Sequence, residues 1–305
     1  MSAPSSSRFP SRLLPLLHCP LCQSPLHPEA SALRCASRHG FDIARQGYVH
    51  LLPGRLQAPG NADTQPMVAA REAFLARGHF APLAALLAEH AARLDESDET
   101  ERCAVEVGAG TGYYLARVLD RCPRMVGLAI DLSRFAARRA ARAHVRAGAI
   151  VADGEHVLPL RSHSVALALS VFAPRNAREL HRILHPRGAL LVATPSARHL
   201  RELIEPMGLL SVDARKEERL HARLHPSFEL VARDLLEREL HLTREEVLLL
   251  AAMGPSAFHV PAEALRRRAD ALPALTTVTA SFIVATYQRA AQPPAPARAG
   301  LRTCD

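Results

Sequence analysis

The sequence has almost no lysine and no long apolar run. Lys216 is the single lysine among 38 basic residues, and this bias, with abundant alanine and leucine, indicates a GC-rich coding sequence. The arginine surplus alone therefore does not establish a binding surface. No apolar run is long enough to span a bilayer, and the apolar stretch that begins at residue 13 is too short for a secretory signal and lacks a cleavage site. We expect a cytoplasmic protein with no membrane partner.

The overall charge points to a polyanionic partner. The formal net charge is +8 at pH 7 and the isoelectric point is about 9.7. A basic surplus favours nucleic acid, and the planar guanidinium group of arginine can bind two phosphate oxygens at once. A basic surface that only faces solvent would explain the same charge, so both interpretations stay open.

The cysteines do not have the pattern of a disulfide framework. Three of the six, Cys19, Cys22 and Cys35, lie close together near the N-terminus, and the other three are scattered. In a cytosolic chain this distribution indicates a metal cluster plus ordinary thiols. The spacing agrees, because Cys19 and Cys22 form a C-x2-C knuckle and Cys35 and His39 form a C-x3-H pair. We predict one structural zinc, held by four protein ligands with no open position for catalysis.

The chain divides into segments of different composition. We expect a disordered N-terminus (1–17), a zinc-binding module (18–53), a linker with helices (54–100), a larger α/β domain (101–289) and a disordered tail (290–305).

Short apolar strands alternate with helical patterns from residue 103 onwards, which predicts a mostly parallel sheet covered by helices on both faces. The pattern predicts helices over 111–121, 133–143 and 174–184, and a final strand over 276–289. The segment 228–240 fits either a helix or a strand.

A glycine-rich loop follows the first of these strands. Gly108, Gly110 and Gly112 stand between an apolar strand and a helical pattern, where the backbone can turn tightly and approach a ligand. A dinucleotide-binding loop would have glycine at the sixth position, and this chain has Tyr113 there. Glu106, just before the loop, completes a pattern typical of S-adenosylmethionine-binding enzymes.

Two acidic residues follow at suitable places. Asp131 ends the second strand, where a carboxylate can accept both ribose hydroxyls of a nucleoside. Asp153 follows the third strand, near the expected adenine, although a simple turn residue explains it almost as well. The sequence therefore predicts S-adenosylmethionine as the cofactor, with a dinucleotide as the alternative.

Segments along almost the whole chain, from Cys19 to Tyr287, carry a family resemblance. They are CPLC, CASRHGFDIARQGYVHLLP, AREAFLARGHFAPL, GAGTGYY, FAP and ATPSARHL. Their combination is similar to the 23S rRNA (guanine-N1)-methyltransferases, a family with housekeeping enzymes and enzymes of tylosin and mycinamicin resistance.

The resemblance implies a class I S-adenosylmethionine methyltransferase fold, Rossmann-like, with a small N-terminal zinc-binding module. It implies zinc ligands at the four residues named above and cofactor contacts at Gly112, Tyr113, Phe80 and His199. Without it, Phe80 fits a packed helix and His199 fits a surface position. It further implies a homodimer whose substrate is a guanine in the 23S rRNA hairpin that lines the macrolide site.

Three positions depart from the family pattern. Phe80 stands where tyrosine is expected, Arg187 where glycine is usual, and Ala166 where aspartate is common. These departures affect details of the cofactor pocket and leave the glycine loop and the metal-binding set intact.

Two other functions remain open from the sequence. One is a methyltransferase for a small natural product, and the other is a non-enzymatic zinc-dependent RNA-binding protein. No residue is identified as the catalytic base. Four arginines of the N-terminal region, Arg34, Arg38, Arg45 and Arg55, are candidate phosphate contacts.

Overall fold

The computed structural model describes residues 9–52, 62–94, 102–213, 215–225 and 227–291. The expected disorder of residues 1–8 and 292–305 lies outside these ranges, as do residues 54–61 of the expected linker segment, Arg55 included, and residues 95–100. Within the described ranges no helix is both long enough and apolar enough to cross a membrane.

Two sheets organise the chain. The first is small and antiparallel, and its strands in order are β1 (His27–Glu29), β2 (Ala32–Arg34) and β3 (Gly40–Asp42). The second has eight strands, which are β4 (Tyr48–His50), β5 (Arg102–Val107), β6 (Met125–Asp131), β7 (Ala147–Val151), β8 (Val165–Val171), β9 (Leu184–Pro195), β10 (Phe228–Thr243) and β11 (Leu275–Arg289).

The helices cover both faces of the large sheet. They are α1 (Gln65–Ala76), α2 (Ala81–Leu94), α3 (Tyr113–Arg121), α4 (Arg134–Ala140), α5 (Ala177–Ile183), α6 (Arg201–Met207), α7 (Lys216–Leu224), α8 (Arg244–Met253) and α9 (Ala262–Asp270). Short 3-10 helices occupy Ser11–Leu16 and Pro255–Phe258. The three helices predicted within the α/β alternation are present but shorter than the pattern indicated.

The large sheet confirms the predicted fold class. Its strand order is β10-β11-β9-β8-β5-β6-β7-β4, and β11 pairs antiparallel with both of its neighbours while the pairs from β9 to β4 are parallel. The central strands are apolar along their length because both faces are covered. A hydrophobic core lies on each face of the sheet. In β5, for example, Ala104 belongs to the core on one face and Val105 to the core on the other.

The ambiguous segment 228–240 is a strand. It is most of β10, which pairs with β11 from Phe228 to Thr243. Its frequent charged residues favour a helix by local preference, but the long neighbouring strand β11 offers hydrogen-bond partners along its whole length. Tertiary pairing therefore decides the conformation.

The expected disorder of residues 9–17 is wrong. Phe9, Leu13 and Leu17 are fully buried. Phe9 and Leu13 pack over Gly148 of β7, where a Cβ atom would lie 2.7 Å from Leu13 Cδ1 and 3.1 Å from Phe9 Cε2. A strand glycine thus makes room for the N-terminal segment, and burial of these three side chains outweighs the entropy of ordering it.

The zinc-binding segment is also more tightly joined to the rest of the chain than the predicted linker implied. Strand β4 lies within that segment and pairs in parallel with β7 at the edge of the large sheet. The backbone N–H of His18 donates to the carbonyl of Pro159 at 2.9 Å, and that of Arg161 donates to Leu16 at 2.8 Å. Residues 9–52 therefore share a core with the sheet.

We expect Phe9→Ala to lower the free energy of unfolding by about 3–5 kcal/mol, because it removes a fully buried ring beside Gly148. Urea denaturation would measure the loss. The matched control is Val145→Ala, since Val145 is 93% exposed and its truncation should change stability by less than about 0.5 kcal/mol. Equal stability of Phe9→Ala and the parent would contradict the packing of the N-terminal segment.

Candidate active site and metal centre

A cavity of about 490 Å³ opens at the carboxyl ends of the parallel strands. In open α/β sheets this edge is where ligands bind, because loops and helix N-termini converge there. The glycine loop after β5 forms one wall, and the ends of β8 and β9 form another. The remaining walls come from α1, from the segment 209–213 and from the end of α8 with the residues after it.

The glycine loop has the conformation that its composition predicts. Gly108, Gly110 and Gly112 all have positive φ, at 71°, 55° and 77°. A Cβ at Gly110 would lie 2.9 Å from a guanidinium nitrogen of Arg71, so a larger residue would push Arg71 out of place. At Gly112 the absence of a side chain lets α4 approach within van der Waals contact.

Two carboxylates, one buried and one partly buried, support this loop. Glu106 is 1% exposed and accepts a hydrogen bond from the backbone N–H of Leu115 at 3.0 Å. Asp131 accepts from Gly110 N at 2.7 Å and from Ser133 N at 2.8 Å. Burial raises the pKa of Glu106 to about 8 and that of Asp131 to about 6. Both groups thus disfavour the charged form until an opposite charge arrives.

Aromatic rings form the opposite wall of the cavity. Phe80 packs edge-to-face on Phe282 with ring centroids 5.0 Å apart, and His199 lies 4.7 Å from the same ring. Ser281 N donates to His199 Nδ1 at 3.2 Å, so the remaining proton sits on Nε2. Burial lowers the pKa of His199 to about 4, and its imidazole is therefore neutral at neutral pH.

Phe172, at the end of β8, adds a further ring. Its backbone φ is +55°, which is unfavourable for a bulky residue. The side chain is 42% exposed, although its ring centroid lies 5.6 Å from that of Phe282. Strained backbone of this kind clusters at functional sites. The exposed ring offers a flat apolar surface at the mouth of the cavity.

Most of the residues that the sequence predicted for the cofactor face this cavity. Six of them line it, namely Phe80, Glu106, Gly108, Gly110, Tyr113 and His199. Gly112, Asp131 and Asp153 do not. Gly112 packs against α4, and Asp131 braces the loop from behind. Asp153 caps its own turn, with Glu155 N at 2.9 Å and His156 Nδ1 at 2.9 Å from its carboxylate oxygens.

Sequence reasoning missed several side chains of the cavity wall, and Arg71, Phe172 and Lys216 are the ones with a clear chemical role to offer. The position of Phe172 directly after a parallel strand was a usable signal, because ligand-binding residues concentrate at strand carboxyl ends. Arg71 and Lys216 lie on helices outside the glycine loop and its strand. Arg71 belongs to the segment AREAFLARGHFAPL of the family resemblance, but the resemblance did not assign it a cofactor contact. Of the three departures from the family pattern, only Phe80 reaches the cavity.

The predicted metal ligands come together beside the small N-terminal sheet, two before β1 and two between β2 and β3. The ligand atoms of Cys19, Cys22, Cys35 and His39 all lie within 4.8 Å of one another. Cys19 Sγ and Cys35 Sγ are 3.5 Å and 3.4 Å from His39 Nδ1, and Cys22 Sγ is 3.6 Å from Cys35 Sγ. Ligands around a tetrahedral zinc lie about 3.5–3.8 Å apart. The three thiols and the imidazole therefore fit a structural zinc ion.

Two family models match the chain. One is described as the N-terminal zinc ribbon of RlmA and matches residues 17–57. The other is described as a methyltransferase domain and matches residues 105–192. The first range contains the Cys3His cluster, and the second contains the glycine loop and Asp131.

Curated relatives match over most of the chain. A Micromonospora griseorubida protein assigned as a 23S rRNA (guanine-N1)-methyltransferase is 49% identical over 90% of this chain and 98% of its own length. The 23S rRNA (guanine(748)-N1)-methyltransferase of Streptomyces fradiae is 48% identical over 87% of this chain and 94% of its own. A Bacillus subtilis protein with the former assignment is 29% identical over 59% of this chain and 64% of its own.

We expect protein purified without chelator to contain one zinc per chain, measured by elemental analysis. Removal of the metal by a strong chelator should lower the thermal midpoint of the whole chain, because the cluster shares a core with the large sheet. Cys22→Ser should lose the metal, whereas Cys103→Ala, a thiol outside the cluster, should keep it. Absence of zinc from the unmodified protein would refute the assignment.

Glu106 gives a pH-dependent prediction. Its pKa in the folded chain, about 8, lies above the ordinary value of 4.5, so the folded state holds this proton more tightly than the unfolded state. The stability that the proton contributes is complete below pH 4.5 and is lost as the pH rises towards 8.

Glu106→Gln removes this titration. Its free energy of unfolding relative to the parent should therefore rise steadily between about pH 5.5 and 7.5. Urea denaturation at several pH values would measure the difference, and titrating groups that do not interact with Glu106 cancel in it. A difference that does not change with pH would show that the carboxylate is already ionised in the folded chain.

Proposed function

This chain belongs to the 23S rRNA (guanine-N1)-methyltransferase family, and we propose that it transfers the methyl group of S-adenosylmethionine to N1 of one guanine in 23S rRNA. The main support for the proposal is that the Micromonospora griseorubida and Streptomyces fradiae relatives match over nearly the whole length of this chain, at 49% and 48% identity. The glycine-loop cavity and the metal cluster, joined in one folded unit, give this proposal a physical basis.

The cavity fits the proposed cofactor. Its volume of about 490 Å³ lies in the range of small-molecule sites. S-Adenosylmethionine, when bound, supplies an electrophilic methyl group on a sulfonium. The buried carboxylate of Glu106 lines the cavity and would balance positive charge there. Gly108 and Gly110 leave the loop backbone open to the methionine part, and Phe80, Tyr113 and His199 would enclose the ligand.

Asp131 and Asp153 have a less direct place in the proposal. Each carboxylate oxygen can accept more than one hydrogen bond. Asp131 could therefore accept the ribose hydroxyls while it still holds Gly110 N and Ser133 N. Asp153 could turn from its own loop towards the adenine. Gly112 would act through the close approach of α4, which sets the start of α3.

The methyl transfer requires guanine N1 as the nucleophile. As the N1–C bond forms and the C–S bond breaks, the electron pair of the broken bond stays on sulfur, and the proton on N1 must leave. The target base has to leave its stack to reach a methyl group held inside the cavity. The exposed ring of Phe172 at the cavity mouth is well placed to stack on such a base. The neutral imidazole of His199 offers an N–H donor nearby.

The zinc ribbon would hold the RNA. Arg34, Arg38 and Arg45 are all exposed on it. Arg34 also contacts Glu29 at 3.2 Å, a surface ion pair weak enough to exchange for phosphate. Strand β4 fixes these arginines relative to the cavity, so phosphate contacts would position one base over the methyl donor.

The target guanine and its consequence are the finer part of the proposal. The Streptomyces fradiae relative is named for guanine 748, and we propose the corresponding guanine of the hairpin that lines the macrolide site. A methyl group there would obstruct macrolides of the tylosin and mycinamicin type and confer resistance. We further propose a cytoplasmic homodimer, as the family resemblance implies.

Loss of the Asp131 carboxylate, which supports the glycine loop, should weaken cofactor binding. We expect Asp131→Ala to weaken S-adenosylmethionine binding by about 1–3 kcal/mol, because it removes the ribose contact and the bond to Gly110 N. Gly110→Val should weaken it as well, since its side chain would displace Arg71. Calorimetry would measure both. Asp120→Ala, an exposed carboxylate on α3, is the control, and unchanged affinity in both test variants would refute the assignment.

Primer extension tests the substrate. Methylation at N1 blocks Watson–Crick pairing, so reverse transcriptase should stop one nucleotide before the modified guanine in 23S rRNA treated with enzyme and cofactor. The stop should disappear with Gly110→Val enzyme and with RNA in which that guanine is replaced by adenine. If no stop appears while labelled methyl enters a small molecule, the natural-product alternative replaces this proposal. If no methyl is transferred at all, the non-enzymatic alternative does.

A further inference from the structure

Arg71 joins three parts of the cavity wall. It lies on α1, and its Nη2 donates to the carbonyl of Met253, at the end of α8, at 2.8 Å. Its Nη1 lies 2.8 Å from an oxygen of Asp63 and reaches over Gly110 of the loop. The side chain is 27% exposed and faces the cavity. The guanidinium is thus held at the glycine loop by contacts that leave it accessible.

The charge around Arg71 is unusual for a purely structural arginine. Glu106 and Asp131 lie close enough for Arg71 to lower their pKa values against the effect of burial, and it acts in the same way on Asp63. The positive charge of Arg71 therefore stabilises the ionised form of three carboxylates at this end of the cavity. Lys216, the other lysine or arginine on the cavity wall, lowers the pKa of His199 and is not among the charges that shift the pKa values of these three carboxylates.

The amino-acid end of S-adenosylmethionine carries an α-carboxylate and an α-ammonium group. A glycine loop that opens a helix supplies N–H donors for an anion, and the planar fork of arginine binds a carboxylate through two parallel hydrogen bonds. Glu106 is the matching anion for the ammonium. Asp63 presents to Arg71 the same carboxylate chemistry that the cofactor would present.

We propose that Arg71 binds the α-carboxylate of S-adenosylmethionine, and that the cofactor carboxylate takes over the place that Asp63 holds beside Nη1. This inference rests on the proposed function, because it presupposes that cofactor. It assigns to Arg71 the recognition of the amino-acid end, as distinct from the nucleoside end. The bond to Met253 stays in place and keeps the guanidinium aimed at the loop.

The inference is tested with two ligands that differ at the amino-acid end. S-Adenosylhomocysteine carries the carboxylate, and methylthioadenosine has the same nucleoside and thioether without it. For Arg71→Gln we expect the affinity for S-adenosylhomocysteine to fall about ten- to one-hundred-fold. The affinity for methylthioadenosine should change by less than about twofold. Arg71→Lys, which keeps the charge without the fork, should fall between the two.

The matched control is Arg77→Gln. Arg77 follows α1 and joins it to the start of α8 through Glu245 at 3.2 Å, but it does not line the cavity. Both ligands should bind this variant as they bind the parent. Calorimetry measures all affinities, and the thermal midpoint of each variant is recorded beside them.

The outcomes are distinct. If Arg71→Gln loses both ligands equally, Arg71 only ties the helices together and the inference is overturned. If it loses neither, the carboxylate is held elsewhere and the inference is again overturned, while the cofactor assignment stands. If the parent chain binds neither ligand, nor S-adenosylmethionine, the proposed function fails and the inference falls with it.

Discussion

Two carboxylates hold the cavity in shape by accepting hydrogen bonds from the glycine loop and from the helix that follows it. Asp131 reaches back from the end of β6 to Gly110 N, and Glu106 reaches forward from β5 to Leu115 N in the first turn of α3. The loop is thereby fixed between two strands and a helix. Because Glu106 is buried and Asp131 is partly buried, ionising them costs free energy in the absence of a ligand. The site therefore sacrifices some stability for two carboxyl groups whose negative charge is favoured when a positive charge binds beside them.

Local patterns in the sequence predicted the parts of the site that are local in the chain. The C-x2-C and C-x3-H pairs and the three loop glycines each occupy a few residues, and their spacing carries their geometry. Contacts between residues that are far apart in the sequence could not be predicted from local patterns. Arg71 and Met253 are 182 positions apart, and only the packing of α1 on α8 brings them together. The orientation of Asp131 behind the loop likewise depends on the order of strands.

The same distinction explains the two errors in the fold prediction. Residues 9–17 look like a disordered tail because their composition does not indicate a regular helix or strand. Their burial depends on the space above Gly148, which no pattern in the segment itself reveals. The zinc-binding segment looks separate because a polar, glycine- and proline-rich stretch follows it. Its strand β4 is three residues long and joins a sheet whose other strands come much later in the chain. Such non-local pairing outweighs what composition suggests.

The pairing of β4 with β7 also limits how this enzyme could be divided. A chain cut after residue 52 would leave β7 as an uncovered edge, with free N–H and C=O groups along an apolar strand. Ile150 would lose the shelter of Val49 and Leu51, which belong to the same core. Uncovered edges of this kind invite self-association. The methyltransferase part therefore depends on the N-terminal segment to cover this edge, and the two parts form one folding unit.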